Sequence, residues 1–211
     1  LPGNLQDELW MTVDHVEFLV EEPSMAAFLH AVLPRALVGC TYRVHAFRGK
    51  QDLLGKLLMR LRGFARSIST DTCIVVLLDR DGDDCVHLKR HVTGIIDVAG
   101  LPASPRARER AFCRIAVEEL EAWYFGDWEA VRDAYPKAPP TIAVQAKYRR
   151  PDAITGGTWE AFERVMRRGG YFRGGLQKIE AARRIGEHVD PDRNTSPSFQ
   201  VFRRLLDELS G

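Results

Sequence analysis

The sequence lacks the C-x-x-C and H-E-x-x-H spacings of two common kinds of zinc site, and it lacks an apolar run long enough to cross a membrane. Its four cysteines form no C-x-x-C pair and its histidines form no H-E-x-x-H motif, which excludes a zinc ribbon and a zincin-type metalloprotease. No stretch approaches the roughly 20 apolar residues that a bilayer requires. The polar opening LPGNLQDELW does not predict a signal peptide. We therefore expect a cytoplasmic protein without a membrane partner.

The chain also lacks a net charge that would identify a partner. It has 30 basic and 29 acidic residues, and its formal charge is +1. Basic residues nevertheless crowd the second half of the chain, and a local basic face can attract phosphate. We therefore predict nucleic-acid contacts at Arg149 and Arg150. Lys50 follows a glycine at a predicted helix start, where phosphate can bind, so it is a third candidate.

Apolar segments alternate along the chain between the two-residue period of strands and the longer period of helices. Four short apolar or β-branched runs predict strands at 13–20, 41–47, 73–78 and 112–117. Amphipathic segments between them predict helices, and the part after Trp123 is helical and basic. This alternation predicts an α/β protein with a central, mostly parallel sheet flanked by helices, and a helical C-terminal part.

The same pattern divides the chain into three predicted parts. Residues 1–10 are expected to be a tag remnant or a disordered lead-in. Residues 11–126 form the predicted α/β core, and residues 127–211 form a helical, basic extension packed on that core. A chain of 211 residues is long enough for one such domain.

Acidic side chains follow three of the predicted strands, at the point where each strand ends. In chain order they are Glu21 and Glu22, then Asp79 and Asp81 after the run CIVVLL, then Glu118, Glu119 and Glu121. Sites in open parallel sheets form beyond the carboxyl ends of the strands, and gathered carboxylates repel one another unless a cation neutralises them. The pattern predicts a site for Mg²⁺ or Mn²⁺. Asp79 and Asp81 are its strongest pair, since residues two apart in an extended chain face the same side.

Two other classes of protein place the D-x-D spacing after a buried strand. A calcium loop would need Gly at its sixth position and Glu at its twelfth, where this chain has Asp84 and Arg90. Haloacid-dehalogenase phosphatases use D-x-D-G-T, which Asp79 to Gly82 resembles, with Asp83 in the threonine position. A phosphatase of that type is therefore an enzymatic alternative. Asp84 is predicted to cap the next helix.

The order of these acids resembles the Toprim pattern, in which a Glu follows the first strand, D-x-D follows a later strand and further acids come beyond. FLVEEPS at 18–24 matches the first part, LLDRDGDDC at 77–85 the second and ELEAW at 119–123 the third. The resemblance implies a Toprim-like fold for residues 11–126. It implies as ligands of one or two metal ions Glu21, Asp79, Asp81, Glu119 and Glu121, and the choice among Glu118, Glu119 and Glu121 stays open.

From Met11 onward the chain is similar to an uncharacterised bacterial family of the Toprim-like clan, the DUF4276 family. The shared features are Gly49-Lys50 before a Leu-rich helix, DRDGDDC, ELEAW followed by Asp127, a Y-x-K-like stretch at 171–173 and a late S-x-S-F stretch. Toprim nucleases of the overcoming-lysogenization-defect type use a lysine beside the metal. In this chain Arg173 stands where that lysine is expected, and Lys178 is the other candidate.

The resemblance implies a metal-dependent nuclease that cleaves phosphodiester bonds of nucleic acid. Its catalytic residues would be Glu21, Asp79 and Asp81, with Arg173 or Lys178 balancing charge. It further implies a partner ATPase and a role in phage defence. A non-catalytic binding or regulatory subunit of an ATPase complex is the alternative without enzymatic activity. The choice between DNA and RNA, the number of metal ions and a homodimeric state stay open.

Overall fold

The computed structural model of the protein describes residues 13–69, 71–101 and 110–210, and its centre is one four-stranded parallel sheet. The strand order is β2-β1-β3-β4, and every neighbouring pair runs parallel. The strands are β1 (His15–Val20), β2 (Thr41–Ala46), β3 (Thr72–Asp79) and β4 (Ala111–Ala116). The predicted α/β class and the parallel sheet are therefore confirmed.

Helices alternate with the strands in the first half of the chain and follow one another in the second. Those between strands are α1 (Pro23–Ala36), α2 (Lys50–Ser67) and α3 (Cys85–Ala99). After β4 come α4 (Leu120–Gly126), α5 (Trp128–Ala134), a 3₁₀ turn (Pro151–Ala153), α6 (Thr158–Arg168), α7 (Lys178–Gly186) and α8 (Pro197–Ser210). The helical C-terminal part is thus confirmed. Asp84 caps α3 as predicted, because it accepts a hydrogen bond from the His87 amide at 2.7 Å.

The strand β3 is buried along its whole length, since it lies between β1 and β4 and its two faces pack on different cores. A continuous apolar run is the pattern expected of such a strand. β2 is an edge strand, as predicted, and it is more exposed than β4 at the other edge. In register, Val20 lies beside Leu77 and Asp79 lies beside Ala116. The residues that follow β1, β3 and β4 therefore meet at the carboxyl end of the sheet, where these three strands finish.

Two hydrophobic cores lie against the sheet, and alternate residues of β1 divide between them. Val16, Phe18 and Val20 belong to a large, aromatic-rich core that also contains residues of α1 and of the C-terminal helices. Leu19 belongs to a smaller, mainly aliphatic core with residues of α2 and α3. This division follows from the two-residue period of a strand. The C-terminal helices therefore pack on one face of the sheet, opposite α2 and α3.

The ELEAW and S-x-S-F stretches meet in the aromatic-rich core and hold the C-terminal helices onto the sheet. Trp123 is fully buried, and its indole N–H donates to the Ser198 hydroxyl at 3.0 Å. Asp152 accepts hydrogen bonds from the Ser196 hydroxyl at 2.6 Å and from the Ser198 amide at 2.7 Å. These bonds satisfy donors at the start of α8, as an N-cap does. The serines of the S-x-S-F stretch thus have a structural role.

The predicted lead-in at residues 1–10 lies outside the described residues. The predicted boundary between core and extension at residue 126 stays a prediction, since the aromatic-rich core contains residues from both sides of it. Within the part of the chain that the structure describes, no helix combines the length and the apolar character that crossing a bilayer requires.

Candidate functional site

Asp79 ends β3 in the protein interior, and Glu21 follows β1 beside it. One Glu21 carboxylate oxygen accepts a hydrogen bond from the Asp79 amide at 3.1 Å. The Asp79 Oδ1 atom is buried and has no hydrogen-bond partner among the described residues. Desolvation and nearby carboxylates raise the pKa of Asp79 well above its ordinary value, and desolvation with the Asp81 charge raises the pKa of Glu21 to about 7. Two acids whose charges repel each other therefore lie side by side at the carboxyl end of the sheet.

Glu121, in the first turn of α4, is a third buried acid at this end of the sheet, with only 2% of its surface exposed. Its burial raises its pKa to about 7, although the charge of Lys178 opposes this shift. Among the charges that raise the pKa of Asp79, that of Glu121 has the largest effect. Of the three late glutamates, Glu121 is thus the one most strongly coupled to Asp79. We refer to Glu21, Asp79 and Glu121 as the inner carboxylates.

A cation reaches the inner carboxylates from the C-terminal helices. Lys178 begins α7, and its ammonium lies 3.9 Å from a Glu22 oxygen and 5.5 Å from the centre of the Trp159 ring. Burial would lower the pKa of Lys178, but surrounding carboxylates, with Glu121 the strongest of them, raise it above its ordinary value. Lys178 therefore stays protonated and partly balances the inner carboxylates.

Two further acids, Asp81 and Asp83, lie in the turn after β3 and share a second cation; we call them the outer carboxylates. The Lys50 ammonium lies 2.7 Å from an oxygen of each and donates to the Arg80 carbonyl at 3.0 Å. Lys50 begins α2 directly after Gly49, whose φ of 107° suits glycine. The outer side chains are 48% and 51% exposed. The two carboxylates of this ion-pair cluster are therefore solvated, whereas the Lys50 side chain is only 15% exposed.

Asp79 and Asp81 do not continue one extended strand, although the D-x-D prediction assumed that they would. β3 ends at Asp79, and Asp81 has a left-handed φ of 51°. The turn allows the Asp81 amide to donate to the Glu118 carbonyl at 2.9 Å. The Asp81 side chain is consequently paired with Lys50 in the described structure, whereas Asp79 is buried.

The other late glutamates already have partners. Glu118 forms an ion pair with Arg80, whose guanidinium lies 3.1 Å away. One Glu119 oxygen accepts hydrogen bonds from the Thr158 amide at 2.9 Å, the Thr158 hydroxyl at 2.8 Å and the Trp159 amide at 2.9 Å. Glu119 thus caps the start of α6 from a distant part of the chain. Metal binding by Glu119 stays a prediction, and binding through that oxygen would displace the cap.

The remaining basic candidates make none of the contacts described above with the inner or outer carboxylates. Arg149 and Arg150 are exposed before the 3₁₀ turn, and Arg173 is exposed in the glycine-rich loop before α7. In residues 13–69, 71–101 and 110–210, none of these three side chains forms an ion pair with a carboxylate. Of the two candidates for the basic residue, Lys178 is the one whose charge acts on Glu121.

Two residues of the site were not predicted from the sequence. Trp159 lies under the Lys178 ammonium. Tyr124 has a buried hydroxyl without a hydrogen-bond partner among the described residues, and burial, Glu121 and Asp79 raise its pKa well above the ordinary value. Tyr124 directly follows ELEAW, so its position was a signal that could have been used. Trp159 carries no such signal, because it enters the site through the fold of α6.

The inner carboxylates have the chemistry of a site for a hard divalent cation. Mg²⁺ prefers oxygen ligands and takes one or two carboxylates together with water. Such an ion would offset the repulsion that raises these pKa values, and it would give the Asp79 Oδ1 atom a partner. Across the described residues, no group of three His, Cys, Asp or Glu side chains already has the arrangement of a metal site. The inner carboxylates would therefore have to move closer together around an ion.

A family model described as "Domain of unknown function (DUF4276)" matches residues 20–210. The matched region includes the inner and outer carboxylates, both lysines and the C-terminal helices. Comparison with curated proteins and with solved structures found no match to the chain.

Proposed function

Because the chain belongs to the DUF4276 family, a domain of unknown function, we propose its function from the site: it binds Mg²⁺ or Mn²⁺ and cleaves phosphodiester bonds of nucleic acid. The observation that carries this proposal is the convergence of three buried acids at the carboxyl edge of the sheet, with the Asp79 Oδ1 atom left without a partner. Buried polar atoms are normally satisfied. Acids with strongly shifted pKa values, placed at the carboxyl ends of parallel strands, are typical of functional sites.

The chain's own residues would divide the work as follows. Asp79, Glu121 and Glu21 would hold the ion, and Asp81 would join them once it leaves Lys50. The ion, when bound, would polarise the phosphodiester and orient a water molecule. Lys178 would stabilise the negative charge that develops on the phosphate, because it is a protonated cation held beside the carboxylates. Lys50, at the start of an 18-residue helix, would bind a neighbouring phosphate.

Nucleic acid is proposed as the substrate on two grounds. The acids follow the strands in the order of the Toprim pattern, and basic residues crowd the second half of the chain. A Toprim-like clan relationship, action in the cytoplasm and a partner ATPase in phage defence belong to the same proposal. Both Arg149 and Arg150 remain candidates for contacts with the nucleic-acid backbone.

The test is cleavage of plasmid DNA, single-stranded DNA and RNA by the purified chain with Mg²⁺, with Mn²⁺ and with EDTA. We expect metal-dependent cleavage of at least one substrate, lost in Asp79→Asn and in Glu121→Gln. Asp133→Asn is the matched control, since it removes an exposed carboxylate from α5, away from the sheet edge. Cleavage that persists unchanged in Asp79→Asn would contradict the proposal.

Metal binding should be measured separately, by calorimetric titration of Mn²⁺ into the same variants. Mn²⁺ binding without cleavage of any substrate would reject hydrolysis and favour the non-catalytic subunit, which should then co-purify with an ATPase from the native host. Hydrolysis of p-nitrophenyl phosphate without cleavage of nucleic acid would favour the phosphatase alternative.

A further inference from the structure

A pocket of about 430 Å³ lies between the end of α5, the loop before α7 and the first turns of α7. Its aromatic lining comes from Tyr135, Tyr171 and Phe172, and its basic lining comes from Arg173 and Arg184. No inner or outer carboxylate lines it. Glu180 also lines the pocket and lies 3.8 Å from Arg184. The pocket therefore combines flat aromatic surfaces with charges of both signs, and Arg173 is its basic side chain without a carboxylate partner among the described residues.

Two groups in this pocket lack partners within the part of the chain that the structure describes. Tyr135 is only 2% exposed, and its buried hydroxyl forms no hydrogen bond there. Arg173 is exposed, and its guanidinium forms no ion pair or hydrogen bond there. Arg184, by contrast, lies 4.6 Å from the centre of the Tyr135 ring and donates to the Ala134 carbonyl at 2.8 Å. The pocket thus offers a ligand one uncommitted cation, beside a tyrosine ring whose hydroxyl is buried.

The loop that forms the pocket has an unusual backbone. Phe172 has a φ of 53°, which a bulky side chain rarely adopts, and its neighbours Gly170 and Gly175 have φ values of 84° and 106°. The aromatic side chains are held together, since the Tyr135 ring centre lies 5.0 Å from that of Tyr171 and 5.4 Å from that of Phe172. Strained backbone of this kind persists where surrounding contacts enforce it, and it is common at ligand sites.

We propose that this pocket binds one nucleotide unit of a single-stranded nucleic acid, with its base against Tyr171 or Phe172 and its phosphate on Arg173. Aromatic side chains stack with any base, and arginine pairs well with phosphate. The inference rests on the proposed function for the choice of nucleic acid. It specifies a single strand, because a base within a duplex would first have to be unpaired and flipped out of the stack.

The pocket adjoins the inner carboxylates. Gln177 lines it, and the next residue is Lys178, whose charge acts on Glu121. The charges of Glu121 and Tyr135 both raise the pKa of the buried Tyr124 hydroxyl, so this hydroxyl lies near both. A strand with one base in the pocket would therefore place a neighbouring phosphate toward Lys178 and the inner carboxylates.

The test measures binding without metal, so that it does not depend on cleavage. Fluorescence anisotropy of the full chain in EDTA compares a labelled single strand of roughly 12 nucleotides, within the usual site size, with an abasic strand of equal length and charge. We expect the abasic strand to bind about tenfold more weakly, as loss of a stacked base predicts. Arg173→Ala should weaken binding of the normal strand to a similar degree, whereas Arg167→Ala, an exposed arginine on α6, should not. Near-ultraviolet circular dichroism and a thermal melt establish that each variant is folded.

Equal affinity for the normal and abasic strands would overturn the pocket assignment. A mononucleotide that displaces the strand at concentrations near the strand's own Kd would overturn the single-strand assignment and make a free nucleotide the ligand. Cleavage without base-dependent binding would reject the pocket and leave the proposed function intact. Base-dependent binding without cleavage would support the pocket and reject the proposed function.

Discussion

The inner and outer carboxylates lie at the same edge of the sheet, but their environments differ. The inner ones are buried, and desolvation raises their pKa values. The outer ones are half exposed, and the hydrogen bond from Lys50 lowers the pKa of Asp83. Asp79 and Asp81 are two residues apart, yet the first lacks a partner for Oδ1 and the second has an ammonium at 2.7 Å. Burial and pairing, rather than position in a motif, therefore distinguish a buried acid with an unpartnered oxygen from an exposed acid that is already paired with a cation.

The largest expected difference between the two groups is in metal binding. Asp79→Asn should weaken Mn²⁺ binding by about 100-fold or more, because losing a residue that only supports a ligand costs about 10- to 100-fold and Asp79 would bind the ion directly. Asp83→Asn should weaken it by less than about fivefold, since an ion pair with an exposed carboxylate is worth at most about 1 kcal/mol. Calorimetric titration gives both values. Equal losses in the two variants would remove the distinction between inner and outer carboxylates.

Stability without metal should depend on pH through the inner carboxylates. Glu21 and Glu121 have pKa values raised from 4.5 to about 7, so between these pH values the folded state holds protons that the unfolded state has lost. The free energy of unfolding should therefore fall as pH rises from about 4.5 to about 7. Asp79 should add to this fall, because desolvation and nearby carboxylates also raise its pKa.

Urea unfolding in EDTA at several pH values measures this dependence. Glu121→Gln should flatten the curve and stabilise the protein at pH 8, because it removes a buried charge. Adding Mn²⁺ to the wild-type chain should restore stability at high pH. An unchanged slope in Glu121→Gln would show that this carboxyl group titrates normally.

Glu119 tests a third kind of acid, one whose observed contacts are structural. Glu119→Ala should lower the free energy of unfolding by about 1 kcal/mol, the usual value of a helix cap, because the starting amides of α6 lose their acceptor. A shift in Tm measures this loss. Mn²⁺ affinity should change much less than in Asp79→Asn. If it falls equally, Glu119 belongs with the inner carboxylates.

The smallest predicted effect concerns Lys50, whose ammonium forms ion pairs with the outer carboxylates. Lys50→Met should strengthen Mn²⁺ binding about threefold, since removal of an exposed ion pair worth up to about 1 kcal/mol frees Asp81. The same change should weaken binding of nucleic acid, because it removes a cation from the start of α2. Calorimetry and anisotropy on one preparation separate the two effects. Weaker Mn²⁺ binding would mean that Lys50 positions Asp81 for the ion.

Much of the fold could be predicted because it follows from local patterns. The run CIVVLL requires burial on both faces, and parallel register then brings the ends of β1, β3 and β4 together. Glu21 and Asp79 could be predicted as neighbours for that reason. The exposed edge strand and the cap at Asp84 also follow from nearby residues.

The parts that could not be predicted depend on distant contacts. Nothing in the sequence distinguishes Glu119 from Glu121 as a ligand. In the structure, Glu119 accepts a hydrogen bond from the first amide of α6, whereas the Glu121 side chain is buried. Arg173 and Lys178 are five residues apart, and the position of α7 against α1 determines which of them reaches the acids. The positive φ of Asp81 likewise breaks the extended geometry that the D-x-D spacing suggested.

The docking of α7 on α1 has a consequence for the timing of assembly. Arg35 in α1 donates to the Gly186 carbonyl at 2.6 Å, and Gly186 approaches α1 so closely that a Cβ would lie 2.8 Å from the Ala31 side chain. During synthesis the strands and their acids emerge long before this helix. A growing chain would therefore carry the acids without Lys178 and without the pocket loop. Under the proposed function, a chain still being synthesised would cleave nothing until residues 169–186 have been made and docked.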